Sequence, residues 1–246
     1  MADFLVPAWP APDHVRALQT LRSGGYSPAP WASFNLGDHV GDSPALVAAN
    51  RAKLGLSLPG NPVWLEQVHG TTAVDADLST KLLAADAAFS RQPSKVCVVM
   101  TADCLPVLFC DGVGTVVAAA HAGWRGLVAG VLEATISKMG VSPGELLAWL
   151  GPAIGPSCFA VGDEVRTAFV DHDPAAANAF LPQPPDKWLA DIYRLARQRL
   201  QAAGVRAIYG GDFCTVSDAK RFFSYRRDGV TGRMASLIWL DPRSGV

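Results

Sequence analysis

Three side chains that commonly bind metal ions stand beside short apolar runs in this sequence. His69 lies in Gln67-Val68-His69-Gly70, Cys104 follows VCVVMTAD, and His121 follows TVVAAA. Two imidazoles and one thiolate suit a tetrahedral Zn²⁺ ion and leave its fourth position open for water or substrate. Because a structural zinc usually has four protein ligands, three ligands favour catalysis over scaffolding. Copper(I) also accepts a thiolate, so the donor set leaves the metal open.

The spacing of these three residues does not establish a metal site by itself. It matches no local zinc signature such as paired CxxC motifs. On the alternative interpretation, Cys104 is a small core residue and the two histidines are ordinary loop residues. Both interpretations remain open from the residues alone.

The elements that must position these residues alternate between strands and helices. Apolar, β-branched runs predict strands, and helical spacing that stops at a glycine predicts helices. We predict strands at Val96–Met100, Val113–Ala120, Glu145–Leu150 and Val205–Tyr209, helices at Leu127–Met139 and Lys187–Ala203, and two strands within RFFSYRRDGVTGRMASLIWL. The expected fold class is α/β (mixed α+β), with a layered mixed β-sheet core and flanking helices.

The strands before Cys104 and His121 could deliver both residues to the same rim of a sheet. This requires the two strands to be parallel neighbours joined in the usual right-handed sense. The segment between them, LPVLFCDG, is short for a parallel crossover.

Composition excludes several classes of protein. The chain has 246 residues, 50% of them hydrophobic and 17% charged, which favours one domain over residues 1–246. Lys and Arg total 21 against 22 Asp and Glu, so no basic field attracts nucleic acid. The first residues lack the basic and apolar pattern typical of a signal peptide, no apolar run is long enough to span a membrane, and the five cysteines are odd in number. We expect a cytoplasmic protein with reduced thiols and no membrane partner, as a monomer or weak homo-oligomer.

Several motifs together resemble one known family. They are SFNLGDHVGD at Ser33–Asp42, Asn50-Arg51, QVHG, TADCLPV, HAGWRG, the run from Gly151 to Val165, and FFSYRR at Phe222–Arg227. In this order they are similar to the YfiH family, also called the DUF152, laccase-domain or peptidoglycan-editing-factor family. The resemblance extends from about Arg22 to Arg233. It implies a YfiH-like fold, which is grouped with that of toxin-type Cys-His hydrolases.

The resemblance also implies a site and an activity. His69, Cys104 and His121 match the residues that bind a catalytic zinc in the family. The implied reaction is phosphorolysis of adenosine, inosine, guanosine and methylthioadenosine, together with deamination of adenosine. The implied partners are a purine nucleoside and inorganic phosphate.

Other side chains are candidates for parts of this chemistry. Asp103 could move protons during deamination, or it could orient a histidine ligand. Guanidinium groups grip phosphate with two donors, which makes Arg22, Arg51 and Arg125 phosphate candidates. The remaining candidates for substrate binding are Asn35, His39 and Gln67, beside Arg51 and Arg125.

Three rival functions differ from the phosphorylase. A multicopper oxidase needs many histidines, commonly in His-X-His pairs, whereas this chain has five histidines and no such pair; trace copper could still give weak polyphenol oxidation. A Cys-His or zinc hydrolase that edits peptidoglycan precursors would use Cys104 as a nucleophile or as a ligand. A non-catalytic module is disfavoured because the site has only three protein ligands.

Overall fold

The computed structural model of the protein describes residues 4–78 and 82–242. The predicted domain, residues 1–246, includes residues 1–3, 79–81 and 243–246, which lie outside the described residues. Its extent as a single domain stays a prediction.

Sixteen strands are found in the described part of the chain. In chain order they are β1 (Phe4–Leu5), β2 (Val15–Thr20), β3 (Pro62–Val63), β4 (Leu65–Glu66), β5 (Ala73–Asp75), β6 (Leu83–Ala84), β7 (Ala87–Ser90), β8 (Val96–Thr101), β9 (Leu105–Asp111), β10 (Val117–Ala122), β11 (Leu146–Leu150), β12 (Ala160–Val161), β13 (Phe180–Gln183), β14 (Lys187–Ala190), β15 (Ala207–Gly210) and β16 (Met234–Leu240).

Six α-helices occur in the same described residues. They are α1 (Pro44–Gly55), α2 (Trp124–Ala129), α3 (Val131–Met139), α4 (Asp163–His172), α5 (Ile192–Ala202) and α6 (Tyr225–Asp228). Within the part of the chain that the structure covers, none of them has the length and apolar character needed to cross a membrane.

Two large mixed sheets pack face to face. The first has the strand order β1-β2-β16-β8-β3, and the second has the order β15-β11-β9-β10-β7-β5. Between them, Cys97 and Val99 of β8 share a core with Leu108 and Cys110 of β9. Strands buried on both faces must be apolar at every position, which explains the uninterrupted apolar runs in the sequence.

Helices cover the outer faces of both sheets. Phe109, on the outer face of β9, belongs to a core that includes residues of α2, α3, α4 and α5. On the other side, Val98 packs in a core with Leu54 of α1 and with Phe34. The predicted layered mixed sheet with flanking helices is confirmed.

Two predicted boundaries are wrong because turn chemistry overrides the apolar pattern. The strand predicted from Val113 begins at Val117, since the Asp111 carboxylate accepts from the amides of Thr115 and Val116 and closes a hairpin. The helix predicted over Leu127–Met139 begins earlier and is divided at Gly130, whose φ is +103°.

Two further segments change their type of secondary structure. Within the helix predicted over Lys187–Ala203, residues Lys187–Ala190 form a strand paired with β13, and the helix begins only after Asp191, whose side chain accepts from Arg194 N. In the C-terminal segment, the first predicted strand is replaced by the short helix α6, capped by Ser224. Tertiary pairing and capping decide both segments.

The parallel arrangement considered for the strands before Cys104 and His121 does not occur. The segment Leu105–Asp111 is itself a strand, β9, and it pairs antiparallel with β10. The strand before Cys104, β8, belongs to the other sheet. Cys104 therefore stands where the chain crosses between sheets, and His121 arrives on the neighbouring antiparallel strand.

Gly130 and Gly55 give a matched test of this backbone. A Cβ at Gly130 would meet no atom closer than 3.5 Å, so a Gly130→Ala change adds backbone strain without a clash. We expect it to lower the free energy of unfolding by about 1–2 kcal/mol, the cost of the left-handed conformation. Gly55 ends α1 in open space, so Gly55→Ala should leave stability unchanged or raise it by up to about 1 kcal/mol.

Urea titration monitored by circular dichroism measures both effects. A Gly130→Ala protein as stable as the Gly55→Ala protein would contradict the assigned helix break.

Candidate metal centre

Cys104 lies in a turn at residues 102–104 that joins β8 to β9. Asp103 in this turn has a φ of +90°, which non-glycine residues seldom adopt. Its carboxylate accepts from Thr215 Oγ1 at 2.5 Å and from Arg226 N at 2.6 Å, and its carbonyl accepts from Ile154 N at 2.9 Å. These bonds fix the turn that directs the Cys104 thiol.

His121 approaches Cys104 through the register of two paired strands. His121 on β10 lies opposite Pro106 on β9, and Ala122 lies opposite Leu105. The next residues along this register are Gly123 and Cys104. The imidazole of His121 is buried, with a relative exposure of 3%.

His69 comes from a separate loop that is held by the buried carboxylate of Asp86. This carboxylate accepts from the backbone amides of Val68 at 3.2 Å, His69 at 3.0 Å and Gly70 at 2.6 Å. It also accepts from His121 Nδ1 at 2.8 Å. Because Nδ1 of His121 is engaged, its Nε2 remains as the free donor atom, the arrangement found when a carboxylate orients a metal-binding histidine.

The three predicted ligands are brought together. The donor atoms of His69, Cys104 and His121 all lie within 4.8 Å of one another, and His69 Nε2 is 3.8 Å from Cys104 Sγ. Zinc bonds of about 2.0–2.3 Å would space tetrahedral donors about 3.3–3.6 Å apart, so small side-chain rotations suffice to fit the ion. In the described residues, no other group of three His, Cys, Asp or Glu side chains is placed to hold a metal.

The electrostatics of this group favour a thiolate beside a protonated imidazole. Burial raises the pKa of Cys104, but attraction to His121 and hydrogen bonds from both histidines outweigh it, and the pKa falls to about 6. Burial lowers the pKa of His121, but the charge of Cys104 and the hydrogen bond to Asp86 outweigh that effect and raise it to about 9. A cation such as Zn²⁺ would replace this proton as the partner of the thiolate.

Two compartments meet at His69 and Cys104. The larger has a volume of about 410 Å³ and is lined by His39, Gln67, His69, Met100, Thr101, Ala102, Cys104, His121, Tyr225 and Arg233. The smaller has a volume of about 250 Å³ and is lined by His69, Ala102, Asp103, Cys104, Trp124, Arg125, Ile154, Phe159, Ile192, Tyr225 and Arg226. His69 and Cys104 thus border both compartments, and His121 borders the larger one.

The structure brings some of the other predicted residues to these compartments. His39 and Gln67 line the larger one, and Asp103 and Arg125 line the smaller. The Gln67 amide already pairs with Met100, donating to its carbonyl at 2.8 Å and accepting from its amide at 2.7 Å. Its polar atoms are therefore engaged within the protein.

Asn35, Arg22 and Arg51 do not line either compartment. Asn35 is fully buried, and its amide bonds with Gly37, Asp42 and the backbone of Arg233. Arg22 donates to the carbonyls of Ala32 and Ala219. Arg51 stacks on Trp64 and pairs with Asp38 at 3.2 Å. These three side chains support the loops around the site.

Asp86, Tyr225 and Arg233 are site residues that were not among the predicted candidates, although Tyr225 lies within the FFSYRR motif. Asp86 carried a signal, because it is a lone acid within the small apolar run AADAAF, where a charge requires buried partners. Tyr225 was placed on a predicted strand, and Arg233 follows a glycine turn with no distinguishing pattern. Their proximity to Cys104 arises only in the folded chain.

The fold and this centre define a mixed α/β protein with a His-Cys-His group able to bind a metal. The chain belongs to the YfiH (DUF152) family: the family model described as multi-copper polyphenol oxidoreductase laccase matches residues 16–241. Despite the word multi-copper, the described residues supply one three-ligand group.

Relatives and solved structures match almost the whole chain. It is 59% identical to a purine nucleoside phosphorylase of Pseudomonas aeruginosa, covering 98% of this chain and 99% of the relative. It is 56% identical to the purine nucleoside phosphorylase YfiH of Escherichia coli, covering 98% and 100%. A DUF152 protein of Neisseria meningitidis superimposes with a TM-score of 0.93 at 52% sequence identity, covering 97% of this chain and 99% of that protein. YlmD of Geobacillus stearothermophilus superimposes with a TM-score of 0.90 at 31% sequence identity, covering 97% of this chain and 96% of that protein.

Replacing Asp86 tests its control of the metal centre. In Asp86→Asn, the neutral amide weakens the bond to His121 Nδ1 and places an NH₂ group among four N–H donors. We expect zinc affinity, measured by competition with a chromogenic chelator, to fall by about 10–100-fold.

Asp111→Asn is the matched control for Asp86→Asn, because Asp111 is also buried and accepts several bonds, but in the β9–β10 hairpin. Its zinc affinity should match that of the unmodified protein. Equal affinities of both variants would show that Asp86 does not position the ligands.

The lowered pKa of Cys104 predicts a shift in its reactivity with pH. In metal-free protein, the thiolate forms above its pKa, so alkylation of Cys104 by iodoacetamide should have a midpoint near pH 6 rather than near 9. Peptide mass spectrometry resolves Cys104 from the other cysteines. A midpoint near pH 9 would contradict the attraction between the thiolate and the two histidines.

Proposed function

We propose that this protein is a zinc-dependent purine nucleoside phosphorylase that also deaminates adenosine. The proposed substrates are inorganic phosphate with adenosine, inosine, guanosine or methylthioadenosine. The observation that carries this proposal is the convergence of His69, Cys104 and His121 beside the larger compartment, with His69 and Cys104 also lining the smaller one. The printed names of the Pseudomonas and Escherichia relatives support the choice of phosphorolysis.

The donor set fits zinc, and its ligands are held before any ion binds. Asp86 fixes the tautomer of His121 and the loop that carries His69. When bound there, zinc supplies Lewis-acid chemistry and lowers the pKa of a coordinated water to about 7. The compartments that the ligands line give a substrate access to this position.

Phosphorolysis replaces one bond at C1′ of the ribose by another. A phosphate oxygen forms the new C1′–O bond while the C1′–N bond to the purine breaks. The purine leaves with the bonding electron pair and takes up a proton. The protein must therefore hold an anion and a flat base near the same carbon, which the two adjoining compartments allow.

Deamination needs a carboxylate that transfers protons near the activated water. Asp103 borders the smaller compartment and stays our candidate for this role. Its alternative role, orienting a histidine ligand, falls to Asp86, because the Asp103 carboxylate bonds instead with Thr215 and Arg226. The five cysteines are free thiols, and we propose the cytoplasm as the compartment of action.

A thiol hydrolase that edits peptidoglycan precursors is the second candidate. The observation that favours it is the series Cys104, His121 and Asp86, in which a thiol, an imidazole and a carboxylate contact one another in the order used by cysteine hydrolases. In that reaction the thiolate would attack the substrate directly and would need no metal.

Replacing Cys104 tests the zinc assignment. Cys104→Ala removes one of three ligands, so we expect bound zinc, measured by elemental analysis, to fall from about one ion per chain to near zero. Phosphate-dependent cleavage of inosine should be lost with it. Cys158→Ala is the control, because Cys158 is a partly exposed thiol that contacts Ser157 and Ser217 rather than the ligands. Unchanged zinc content in Cys104→Ala would overturn the assignment.

Chelation separates the two candidate functions. A zinc phosphorylase should lose activity when its metal is removed and recover when zinc is restored. A cysteine hydrolase should survive chelation and be inactivated by alkylation of Cys104.

A further inference from the structure

Arg233 is a half-buried cation beside the metal centre that forms no ion pair with a described carboxylate. It lines the larger compartment, and its guanidinium donates to the carbonyls of Thr231 and Gly232, both at 3.2 Å. Within residues 4–78 and 82–242, no carboxylate forms an ion pair with it. Cys104 and Asp103 bring negative charge near the guanidinium but accept no hydrogen bond from it, so donors remain for the anion of a ligand.

The backbone and stem of Arg233 are fixed by neighbouring loops. Its amide donates to Asn35 Oδ1 at 2.8 Å, and its carbonyl accepts from Leu36 N at 3.1 Å. A Cβ at Gly37 would lie 2.7 Å from Arg233 Cγ, so the side chain passes closely over this glycine. The guanidinium is therefore held in place before a ligand arrives, which reduces the cost of binding.

Arg125 has a different environment, in the lining of the smaller compartment. Its side chain is exposed and stacks on the Trp124 ring, with Cζ 4.5 Å from the ring centroid. The smaller compartment is otherwise rich in apolar side chains, with Ile154, Phe159 and Ile192 beside Trp124. Flat, apolar surfaces of this kind suit a purine ring better than an anion.

The geometry of phosphorolysis requires the two substrates to lie apart. The incoming phosphate oxygen and the departing purine occupy opposite faces of C1′ when one bond replaces the other in line. The two compartments share His69, Ala102, Cys104 and Tyr225, so a ribose beside these residues would border both compartments.

We propose that Arg233 holds inorganic phosphate in the larger compartment, while the purine base occupies the smaller one beside Trp124 and Arg125. This inference rests on the proposed phosphorylase function for the identity of the anion and of the base. It moves the phosphate contact from Arg125, suggested by the HAGWRG motif, to a residue that no motif indicated.

Steady-state kinetics of the zinc-loaded enzyme test this assignment. For Arg233→Gln we expect the KM for phosphate to rise by about 10–100-fold, as when a charge-assisted pair of hydrogen bonds is lost, with the KM for inosine changed less than about threefold. Arg125→Gln, the matched control, should raise the KM for inosine and leave the KM for phosphate unchanged. A rise of the phosphate KM in Arg125→Gln alone, or equal rises in both variants, would overturn the assignment.

Calorimetric titration with inorganic phosphate tests the site without turnover. The zinc-loaded wild type should bind phosphate, and Arg233→Gln should bind it about 10–100-fold more weakly. If nucleoside cleavage is absent but this difference is found, the proposed function fails while the anion site stands. Equal phosphate affinities would overturn the anion site whatever the activity.

Two further variants test the proposal even if Arg233→Gln does not fold. Arg233→Lys keeps the charge but loses the paired donors, so phosphate binding should weaken less than in Arg233→Gln. Gly37→Ala displaces the Arg233 stem without removing its charge and should also weaken phosphate binding. Wild-type phosphate affinity in both variants would contradict the proposal.

Discussion

The buried carboxylate of Asp86 is the interaction on which the metal centre depends. Three consecutive amides of the loop at residues 68–70 and the imidazole of His121 all donate to it. Burial alone would raise the pKa of Asp86, but these hydrogen bonds and the charge of His121 have the larger effect. The pKa is therefore lowered, and the carboxylate stays ionised. Its backbone carbonyl also accepts from His121 N at 2.7 Å. One residue thus ties the His69 loop to β10.

The close approach imposed by Asp86 explains the glycines in the HAGWRG motif. A Cβ at Gly123 would lie 2.8 Å from His69 Cδ2 and 3.1 Å from Cys104 Sγ, so a larger residue would displace the ligands. A Cβ at Gly126 would lie 2.9 Å from the carbonyl of Gly70. The glycines therefore let α2 start directly against the His69 loop. Because these glycines have no side chain, they leave the space in which the three ligands meet.

The sequence predicts those features of the fold that depend on local burial. Strand β8 was found because a strand covered on both faces must be apolar throughout. The strand Lys187–Ala190 was missed because its apolar residues continue the spacing of the helix that follows, and only pairing with β13 separates them. Asp86 and Arg233 were missed because their roles come from partners far away in the chain. The family motifs identify the three ligands, but they do not identify Asp86, which holds the two histidines in place.

The spacing of residues in the sequence does not predict the direction of the Cys104 side chain, because Cys104 lies in the turn at residues 102–104. Side chains alternate between faces along a strand, so a continuous strand would direct the thiol toward one face of a sheet. The left-handed conformation of Asp103 interrupts that alternation at a cost of about 1–2 kcal/mol. Its bonds with Ile154, Thr215 and Arg226 offset this cost. The conformation of the turn, and with it the direction of the thiol, therefore depends on bonds from the C-terminal half of the chain.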